Sequence, residues 1–394
     1  MLIGLVGKPN SGKSTFFKAA TLAEVLIAPY PFATIKPNHG VGYVKTDCID
    51  SEFKVQCNPR IGFCLDHKRF VAVELLDVAG LVPGAHAGKG LGNQFLDDLR
   101  QADALIHIVD ISGTTDVEGK KAEDYDPAND IRFLEEELDL WFLGLLRKVW
   151  GAFARKAEME KQELHQAVAK QFSGLKVDEF MVKKVLSILN FNAERPSSWT
   201  EMQLFQFARE LRKLSKPMII AANKCDMPKS QENLKKLGQE FPHLRIIPCS
   251  AEAELALREA AKAELINYIP GEKTFKILKE LDEKKRKALE FMQEKILNVY
   301  GSTGVQEILN NAVFELLKYI AVFPAGAYKL ADKDGNILPD CFLLPEGSTA
   351  LDFAYKVHSD LGKNFIKAID ARTKMAYGKD HKLKHRDALE IVTH

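Results

Sequence analysis

The sequence has almost no net charge and no long hydrophobic run. Its 55 lysines and arginines are nearly balanced by 54 aspartates and glutamates, which leaves a formal charge of +1 over 394 residues. A general electrostatic attraction to nucleic acid or to an acidic membrane is therefore excluded, and any such surface must be local. No uninterrupted apolar stretch reaches the roughly 18 residues that a membrane-spanning helix needs, so we expect no membrane association.

Cysteine is also scarce. The six cysteines, at positions 48, 57, 64, 225, 249 and 341, are too sparse to form a disulfide scaffold in a chain of this length. The N-terminal segment is strand-like from residue 2 and lacks a basic region followed by a cleavage site, so it gives no indication of secretion. These features predict a cytoplasmic protein with reduced thiols. The length predicts two or three domains.

The first motif lies between a short apolar run and the start of a helix. LIGLV (2–6) has the composition of a buried strand, and GKPNSGKS (7–14) fits the phosphate-loop pattern G-x-x-x-x-G-K-[ST]. Glycines let successive backbone N–H groups face an anion, and the following helix adds the positive end of its dipole. Lys13 is predicted to contact the β- and γ-phosphates and Ser14 to bind Mg²⁺. The predicted nucleotide-binding residues of this loop are Gly7, Lys8, Pro9, Asn10, Ser11, Gly12, Lys13, Ser14 and Thr15.

A second motif indicates which base is bound. The residues NKCD (223–226) follow an apolar run. An ionised carboxylate only accepts hydrogen bonds, and Asp226 can accept both adjacent donors of guanine, the ring N1–H and the exocyclic amino group. Adenine has no matching donor pair and would leave the carboxylate unsatisfied, at a cost of roughly 1–3 kcal/mol. Asn223 is predicted to brace the loop and to touch the ring of the base, and Lys224 to cover the face of the base. A later loop is predicted to meet the guanine carbonyl oxygen through its backbone; it comprises Ser250, Ala251 and Glu252.

Two segments between these motifs predict a nucleotide switch. FVAVELLDVAG (70–80) is a strand that ends in Asp77-x-x-Gly80. Asp77 is predicted to belong to the Mg²⁺ shell, and the Gly80 N–H to meet the γ-phosphate. PYPFATIKPN (29–38) contains Thr34, our candidate for the residue that closes on Mg²⁺ and the γ-phosphate only when the latter is present.

On these motifs, the chain resembles the Obg-class (TRAFAC) GTPases, in the branch that includes the YchF and DRG-like proteins. GKPNSGKST, PYPFATIKPN and DVAGLVPGAHAGKGLGNQFL are close to the motifs of that group. The resemblance implies an α/β fold with a Ras-like core and a mostly parallel sheet, hydrolysis of GTP, and association with ribosomes or translation. YchF proteins proper have lost the N-K-x-D pattern and prefer ATP. Because this chain keeps NKCD, it resembles a GTP-specific sister of YchF of the kind found in archaea and fungi.

The hydrolytic machinery departs from the Ras pattern. Ras-type enzymes orient the attacking water with a glutamine just after D-x-x-G, and here Leu81 occupies that position, so slow hydrolysis is expected unless another group acts. His86 is one candidate, with a solvated loop histidine as the alternative. Asn10 is another, because potassium-stimulated GTPases use an asparagine there to help hold K⁺, which could stabilise the developing charge. The alternative is that Asn10 only stabilises the turn. The predicted catalytic set is Lys13, Thr34, Gly80 and His86.

The segments outside the motifs predict a helical insertion and a second domain. About 100 residues separate ALIHIVDIS (104–112) from the strand before NKCD, and apolar residues at helical spacing predict helices at 127–150, near 178–190 and at 197–214. The predicted units are a G domain at 1–118, the insertion at 119–214, the rest of the G domain at 215–272, a helical connector at 273–318, and a C-terminal domain at 319–394.

The C-terminal segment resembles a TGS domain, a β-grasp module of translation enzymes and regulatory GTPases. Its strand signals surround an Asp-Gly turn at 334–335 and one helix, which begins after Ser348 or Thr349 and ends at Gly362. The stretch 371–386 has six Lys or Arg against one Asp and is the best local candidate for binding an RNA backbone. A strand edge guarded by lysines is the alternative. The insertion has nine Lys or Arg against five Asp or Glu over 147–184, which suits RNA or an ordinary solvated helix face.

Cys48, Cys57, Cys64 and His67 lie within 20 residues of one another. Their spacing does not match a paired C-x-x-C zinc site. The sequence therefore favours ordinary loop or half-buried cysteines over a bound metal.

The resulting hypothesis is a Mg²⁺-dependent GTPase whose nucleotide state gates attachment to a ribosomal or RNA partner. One rival is an ATPase of the YchF type on the same scaffold. Another is a metabolic kinase with the insertion as a substrate lid, although a kinase needs neither the N-K-x-D nor the Ser-Ala signal. A nucleotide-stabilised binding module without hydrolysis also agrees with the apolar Leu81.

Overall fold

The structure is a computed structural model that describes residues 1–21, 39–78, 98–326, 330–332 and 335–394. Seven strands form one mostly parallel sheet, and five further strands near the C-terminus form a second sheet. Helices cover both faces of the first sheet. This architecture confirms the expected α/β class, with a P-loop G domain and a C-terminal β-grasp domain.

The first sheet has the strand order β2–β4–β1–β5–β6–β7, with β3 paired to β4. Strands β1, β4, β5, β6 and β7 run parallel, whereas β2 and β3 are antiparallel to β4. β1, β5 and β6 are buried along their whole length, which explains why they read as continuous apolar runs. The strands are β1 (Leu2–Val6), β2 (His39–Asp47), β3 (Phe63–Leu65), β4 (Lys68–Asp77), β5 (Ala104–Asp110), β6 (Met218–Asn223) and β7 (Arg245–Cys249).

One face of this sheet is covered by the helices between β5 and β6. They are α2 (Ala128–Met159), α3 (Leu164–Gln171), α4 (Glu179–Leu189) and α5 (Glu201–Ser215). Helix α5 begins at a capping box in which Thr200 and Gln203 satisfy each other's backbone N–H groups. Trp150 of α2 stacks on Trp199, with ring centroids 5.2 Å apart. These helices share one continuous apolar core with the sheet.

The other face is covered by α1 (Lys13–Thr21), by the start of α7 (Ala251–Lys262) and by a segment that returns from beyond residue 300. This segment comprises α10 (Val305–Asn310) and a π-helical turn at Asn311–Leu316, and its apolar side chains belong to the same buried cluster as Ile3 and Leu5 of β1. The elements around it are α6 (Ser230–Glu240), β8 (Ile266–Asn267), β9 (Lys276–Ile277), α8 (Glu283–Met292), a π-helical turn (Gln293–Leu297) and α9 (Asn298–Tyr300).

The C-terminal sheet has the order β11–β10–β14–β12–β13, in which β10 and β14 are parallel. Its elements are β10 (Tyr319–Pro324), β11 (Phe342–Pro345), α11 (Ala350–Val357), α12 (Ser359–Lys363), β12 (Phe365–Asp370), β13 (Ala376–Tyr377) and β14 (Ala388–Thr393). Thr349 caps the first helix, as one of the two expected caps. The single predicted helix is wrong, because the chain is extended at His358, whose ring nitrogen accepts the N–H of Asp360 and starts a second helix that contains Gly362. Asp334 of the expected turn lies outside the described residues.

Ion pairs join the two domains at the end of β2. Arg372 and Arg386 both contact the carboxylate of Glu52, and the Arg386 Nε donates to the Asp47 carbonyl oxygen at 3.1 Å. Two of the six cations in the stretch 371–386 therefore serve this contact. This reduces the basic surface that the sequence offered for RNA.

In the part of the chain that the structure describes, no helix has both the length and the hydrophobicity required to cross a membrane.

A buried ion pair between α2 and α5 allows a first prediction. Arg212 donates to Asp139 at 2.7 Å, and both side chains are less than one-tenth exposed. Replacing Arg212 with Met leaves the Asp139 carboxylate buried, with Arg209 at 3.5 Å as its remaining ion-pair partner among the described residues. We expect a loss of about 3 kcal/mol in the free energy of unfolding at neutral pH.

The pH dependence of this loss has a definite sign. Burial raises the pKa of Asp139 while Arg212 opposes the increase, so removing Arg212 raises this pKa further. A carboxyl with a raised folded-state pKa destabilises the fold as pH rises above about 4. The difference in melting temperature between wild type and Arg212→Met should be larger at pH 7.5 than at pH 5. The double variant Asp139→Leu/Arg212→Met should recover most of the loss. Equal differences at both pH values would contradict this account.

Candidate nucleotide-binding site

The predicted phosphate loop connects the buried end of β1 to the start of α1, and two of its glycines are required by close contacts. A Cβ at Gly7 would lie 2.6 Å from the Ile108 carbonyl oxygen. Gly12 has φ of +96°, and a Cβ there would lie 2.1 Å from the Asn223 Nδ2. The loop can therefore close against its neighbours only with glycine at these positions.

The predicted phosphate cation, Lys13, lies beside two of the predicted Mg²⁺ ligands, Ser14 and Asp77. Asp77 ends β4 next to Leu5 of the parallel β1, so its carboxylate emerges at the same edge of the sheet as the phosphate loop. The Lys13 ammonium, in the first turn of α1, contacts this carboxylate. Ser14 follows in the same turn and is exposed. The arrangement places one cation, one hydroxyl and one carboxylate beside the N-terminal end of a helix.

Asn223, the last residue of β6, joins three loops. Its Nδ2 donates to the Ser11 carbonyl oxygen in the phosphate loop at 2.9 Å. Its Oδ1 accepts the Ala251 N–H at 3.0 Å and lies 3.6 Å from the Cys249 thiol. The amide is nearly fully buried. This geometry agrees with the bracing role that the motif predicts for Asn223.

Lys224 reaches from the same motif across to the phosphate loop. Its backbone is left-handed, with φ of +63°, and its ammonium donates to the Asn10 carbonyl oxygen at 3.0 Å and to Asp110 at 2.7 Å. The stem of the side chain therefore spans the gap between the two motifs, where it can cover a base.

Asp110 is a residue of this site that sequence reasoning missed. It ends β5 with its carboxylate fully buried, and it accepts hydrogen bonds from Ser112, Thr115 and Lys224. Burial by itself would raise the pKa of Asp110, but the Lys224 ammonium and the two hydroxyls hold it below its usual value. As an anion, the Asp110 carboxylate thus holds the Lys224 ammonium in position. Its place at the end of a predicted strand, like that of Asp77, was the available signal.

The Asp226 carboxylate is the predicted base-reading group. It is half-buried and follows β6 by three residues. Within the described ranges, this carboxylate has no hydrogen-bond or ion-pair partner. The backbone beside it is held by the Cys225 N–H, which donates to Cys249 at 3.1 Å, and by the Tyr300 hydroxyl, which donates to the Cys225 carbonyl oxygen at 3.1 Å. These contacts anchor the backbone beside the Asp226 carboxylate, whose lone pairs have no partner among the described residues.

The predicted contacts of the loop after β7 need correction. The Ser250 N–H donates to the Thr303 carbonyl oxygen at 2.9 Å, and the Ala251 N–H donates to Asn223 at 3.0 Å. Neither group is free for a guanine carbonyl oxygen in this conformation. The Glu252 N–H, in the first turn of α7, belongs to the helix-terminal donors that lack an intrahelical partner. In this loop, the Glu252 N–H is therefore our candidate donor to the guanine carbonyl oxygen.

Two side chains of the phosphate loop are used inside the protein. The Lys8 ammonium is buried against Asp130 at 2.9 Å and donates to the Thr115 carbonyl oxygen at 2.7 Å. The expected contribution of Lys8 to a nucleotide therefore reduces to its backbone. Asn10 has φ of +61°, and its Nδ2 donates to the Gly119 carbonyl oxygen at 2.9 Å. Only the Asn10 Oδ1 is left for a potassium ion.

Several predicted site residues lie outside the described residues. They are Thr34, Gly80, Leu81 and His86, from the two switch segments. Their roles stay predictions.

Comparison with known proteins agrees with this geometry. The family model "50S ribosome-binding GTPase" matches residues 2–139, "Obg-like GTPase YGR210-like, G4 motif-containing domain" matches residues 221–326, and "TGS domain" matches residues 330–393.

Relatives extend over nearly the whole chain. An uncharacterised GTP-binding protein of Methanocaldococcus jannaschii is 49% identical, with 100% of this chain and 99% of the relative covered. An uncharacterised GTP-binding protein of Schizosaccharomyces pombe is 38% identical, with 89% and 88% covered. A Bacillus subtilis protein named ribosome-binding ATPase YchF is 30% identical, with 93% and 87% covered.

Solved structures show the same fold. A GTP-binding protein from Pyrococcus horikoshii OT3 is 43% identical, covers both chains completely and has a TM-score of 0.80. The YchF GTPase of Schizosaccharomyces pombe, at 22% identity and a TM-score of 0.58, covers 100% of this chain and 97% of its own. The chain belongs to the Obg-like GTPases of the YGR210-like type, which carry a C-terminal TGS domain and are related to YchF.

Proposed function

We propose that this protein binds GTP with Mg²⁺, hydrolyses it slowly to GDP and phosphate, and uses the change to control attachment to a ribosomal or RNA partner in the cytoplasm. The observation that carries the proposal is the Asp226 carboxylate, which is half-buried and has no partner within the described ranges. A pair of acceptor oxygens without a partner, three residues after the Asn223 that contacts the phosphate loop, is complementary to the two adjacent donors of guanine.

The phosphates would be held by backbone N–H groups of the loop 7–14 and by the positive end of α1. Lys13 would add its charge near the β- and γ-phosphates. Mg²⁺ prefers hydroxyl and carboxylate oxygens, and Ser14, Thr34 and Asp77 would supply them. The ion would neutralise charge on the phosphate oxygens during transfer. The contact between Lys13 and Asp77 supports this role of Asp77, because it shows that the Asp77 carboxylate faces a position that a cation occupies.

Hydrolysis would be slow because Leu81 cannot orient water. Thr34 and the Gly80 N–H would sense the γ-phosphate, and His86 is the candidate for positioning the attacking water. Potassium held with the help of the Asn10 Oδ1 would stabilise the charge that develops between the β- and γ-phosphates.

A ribosomal or RNA partner is proposed from two features. The Bacillus subtilis relative and further relatives are named as ribosome-binding. Lysines of the C-terminal domain at positions 379, 382 and 384 are exposed and could contact a phosphate backbone. The cations of the helical insertion offer a second surface, although Arg147 pairs with Glu201 and Lys176 with Asp103.

The base specificity can be tested by changing what residue 226 offers. Wild type should bind GTP and GDP at least about tenfold more tightly than ATP, because adenine leaves the Asp226 carboxylate unsatisfied. Asp226→Asn replaces one acceptor oxygen with a donor. Since xanthine carries a carbonyl where guanine carries the amino group, this variant should lose guanine affinity and gain affinity for xanthosine triphosphate. Fluorescence titration with labelled nucleotides measures all of these constants.

Asn223→Ala provides the matched comparison. It removes the brace on the phosphate loop without touching the acceptor, so affinity for every nucleotide should fall by a similar factor, about tenfold or more. Asn364→Ala removes a surface hydrogen bond of the C-terminal domain and should change none of the affinities. Equal or tighter binding of ATP by wild type, with no effect of Asp226→Asn on preference, would replace the GTPase proposal with the YchF-type ATPase.

The potassium proposal predicts faster GTP hydrolysis in KCl than in NaCl at equal ionic strength. We expect a ratio of about tenfold or more for wild type, since one cation at the developing charge acts like an added positive group. For Asn10→Ala the ratio should fall towards one. Phosphate release under multiple turnover is the measurement. Equal rates in the two salts would remove potassium from the mechanism and leave His86→Ala as the next variant.

The switch proposal predicts that ribosome association depends on the nucleotide. In co-sedimentation with ribosomes from the same source organism, the protein should pellet more with a non-hydrolysable GTP analogue than with GDP. Lys379→Glu/Lys384→Glu should reduce pelleting and leave nucleotide affinity unchanged. Identical pelleting in both nucleotide states would contradict a nucleotide-gated attachment.

A further inference from the structure

Three cysteines and one aspartate converge at the contact between the two domains. Cys48 follows β2, Asp50 lies in the 3₁₀ turn Ile49–Phe53, Cys57 lies in the following loop, and Cys64 belongs to β3. Their three Sγ atoms and one carboxylate oxygen all lie within 4.8 Å of one another. Cys48, Asp50 and Cys57 are buried, and Cys64 is partly buried. The fold thus assembles a group that the spacing in sequence did not indicate.

Two of the distances match the edges of a small tetrahedron, and the others stay within 4.8 Å. Zinc–sulfur bonds of about 2.3 Å and zinc–oxygen bonds of about 2.1 Å require edges of about 3.8 Å between sulfurs and about 3.6 Å between sulfur and oxygen. The Cys48 and Cys57 sulfurs are 3.6 Å apart, and the Cys64 sulfur lies 3.8 Å from the Asp50 Oδ2. A disulfide would need sulfurs about 2.05 Å apart.

The surroundings orient these four groups. The Asp50 carboxylate is fully buried, and it accepts the Cys57 N–H at 3.0 Å and the His67 ring at 2.9 Å. The guanidinium of the fully buried Arg69 lies 3.5 Å from the Cys57 sulfur. Three thiolates and one carboxylate carry four negative charges, two more than a divalent ion neutralises, and Arg69 offsets part of the excess. Outer hydrogen bonds of this kind are typical of metal ligands.

We propose that these residues form a structural zinc site, with Cys48, Cys57, Cys64 and Asp50 as ligands and His67 as a positioning residue for Asp50. Four protein ligands in tetrahedral geometry close the site, which is the usual form of structural zinc. Three sulfur ligands favour zinc over magnesium or calcium, which prefer oxygen. The site lies outside the nucleotide-binding residues and does not depend on which nucleotide is bound.

The proposed ion would shape the loop that holds the C-terminal domain. Within this loop, the Asn58 N–H donates to the Ile337 carbonyl oxygen at 3.0 Å, and the Arg60 N–H donates to the Pro339 carbonyl oxygen at 3.0 Å. Arg69, which lies beside the Cys57 sulfur, donates to the carbonyl oxygens of Leu338 and Pro339 at 3.0 Å each. Cys48 and Cys57 themselves pack in an apolar cluster with Phe323, Leu338, Ala371 and Ala388 of the C-terminal domain. Zinc would therefore stabilise the domain contact through the shape of residues 48–64.

The metal content of the full chain tests the proposal. Protein purified under reducing conditions and dialysed against a weak chelator should contain about one zinc per chain by elemental analysis. After complete stripping and titration with Co²⁺, the protein should show the visible absorption of tetrahedral cobalt and a near-ultraviolet band of cobalt–thiolate bonds. Zinc added afterwards should abolish both signals, and its saturation should occur at one ion per chain.

Variants separate the ligands from nearby cysteines. Cys64→Ser and Asp50→Asn should each lower the zinc content about tenfold or more under the same dialysis. Cys341→Ser is the matched control, because Cys341 packs at the same domain contact but lies outside the ligand group, so this variant should keep one zinc. His67→Ala should weaken zinc affinity about ten- to a hundredfold and still bind one ion at saturating zinc, as expected for an outer hydrogen bond. Stripping the zinc should make wild type more sensitive to limited proteolysis between the domains.

Two results would overturn the proposal. One is a reduced wild-type chain that contains no zinc and gives no cobalt spectrum on titration, a test that does not depend on any variant folding. The other is a Cys48–Cys57 disulfide in protein purified with thiols trapped by alkylation, as shown by mass spectrometry. Equal zinc loss in Cys341→Ser and Cys64→Ser would also reject the assigned ligands.

Discussion

The loops at the carboxyl edge of the first sheet, where the nucleotide motifs lie, depend on the hydrogen bonds of the Asn223 side-chain amide. One side chain holds the phosphate loop through the Ser11 carbonyl oxygen and the loop after β7 through the Ala251 N–H. It can do so because β1, β5, β6 and β7 are parallel, so that their carboxyl ends meet at one edge. Each of its bonds is buried, where an unmade partner is costly. This one side chain therefore sets the relative positions of the three loops.

The strand β4 connects this edge to the C-terminal domain. At one end, Asp77 contacts Lys13 of the phosphate loop. At the other, Arg69 is fully buried and donates to two carbonyl oxygens of the C-terminal domain. The eight residue-to-residue steps from Arg69 to Asp77 span about 26 Å of extended chain. The antiparallel β2 runs beside it and places Asp47 and the turn with Glu52 against Arg386 and Arg372. Charged groups thus connect one end of β4 to the phosphate loop and the other end, together with β2, to the C-terminal domain.

Local sequence reasoning succeeded where a function requires particular residues at fixed spacing. Glycines at 7 and 12 and the Lys13–Ser14 pair were recognised because backbone geometry at a phosphate loop allows little else. Helices of the insertion were found from their apolar spacing, and the capping residue Thr349 from its chemistry. The same reasoning failed at His358, where one side chain–backbone hydrogen bond divides a helix, because such a break leaves almost no pattern in the sequence.

Sequence motifs alone predict the phosphate loop, NKCD as the candidate for reading the base, Thr34 as the switch candidate and the TGS resemblance, because these depend on residues close together in the chain. The partners of those residues depend on the tertiary structure. It directs Lys8 to Asp130, positions Lys224 with the buried Asp110, and uses the Ala251 N–H internally. It also brings Cys48, Asp50, Cys57 and Cys64 together at irregular spacing. The physical reason is that folding brings together residues whose separation in the sequence follows no regular pattern, whereas a sequence motif relates residues only by their spacing along the chain.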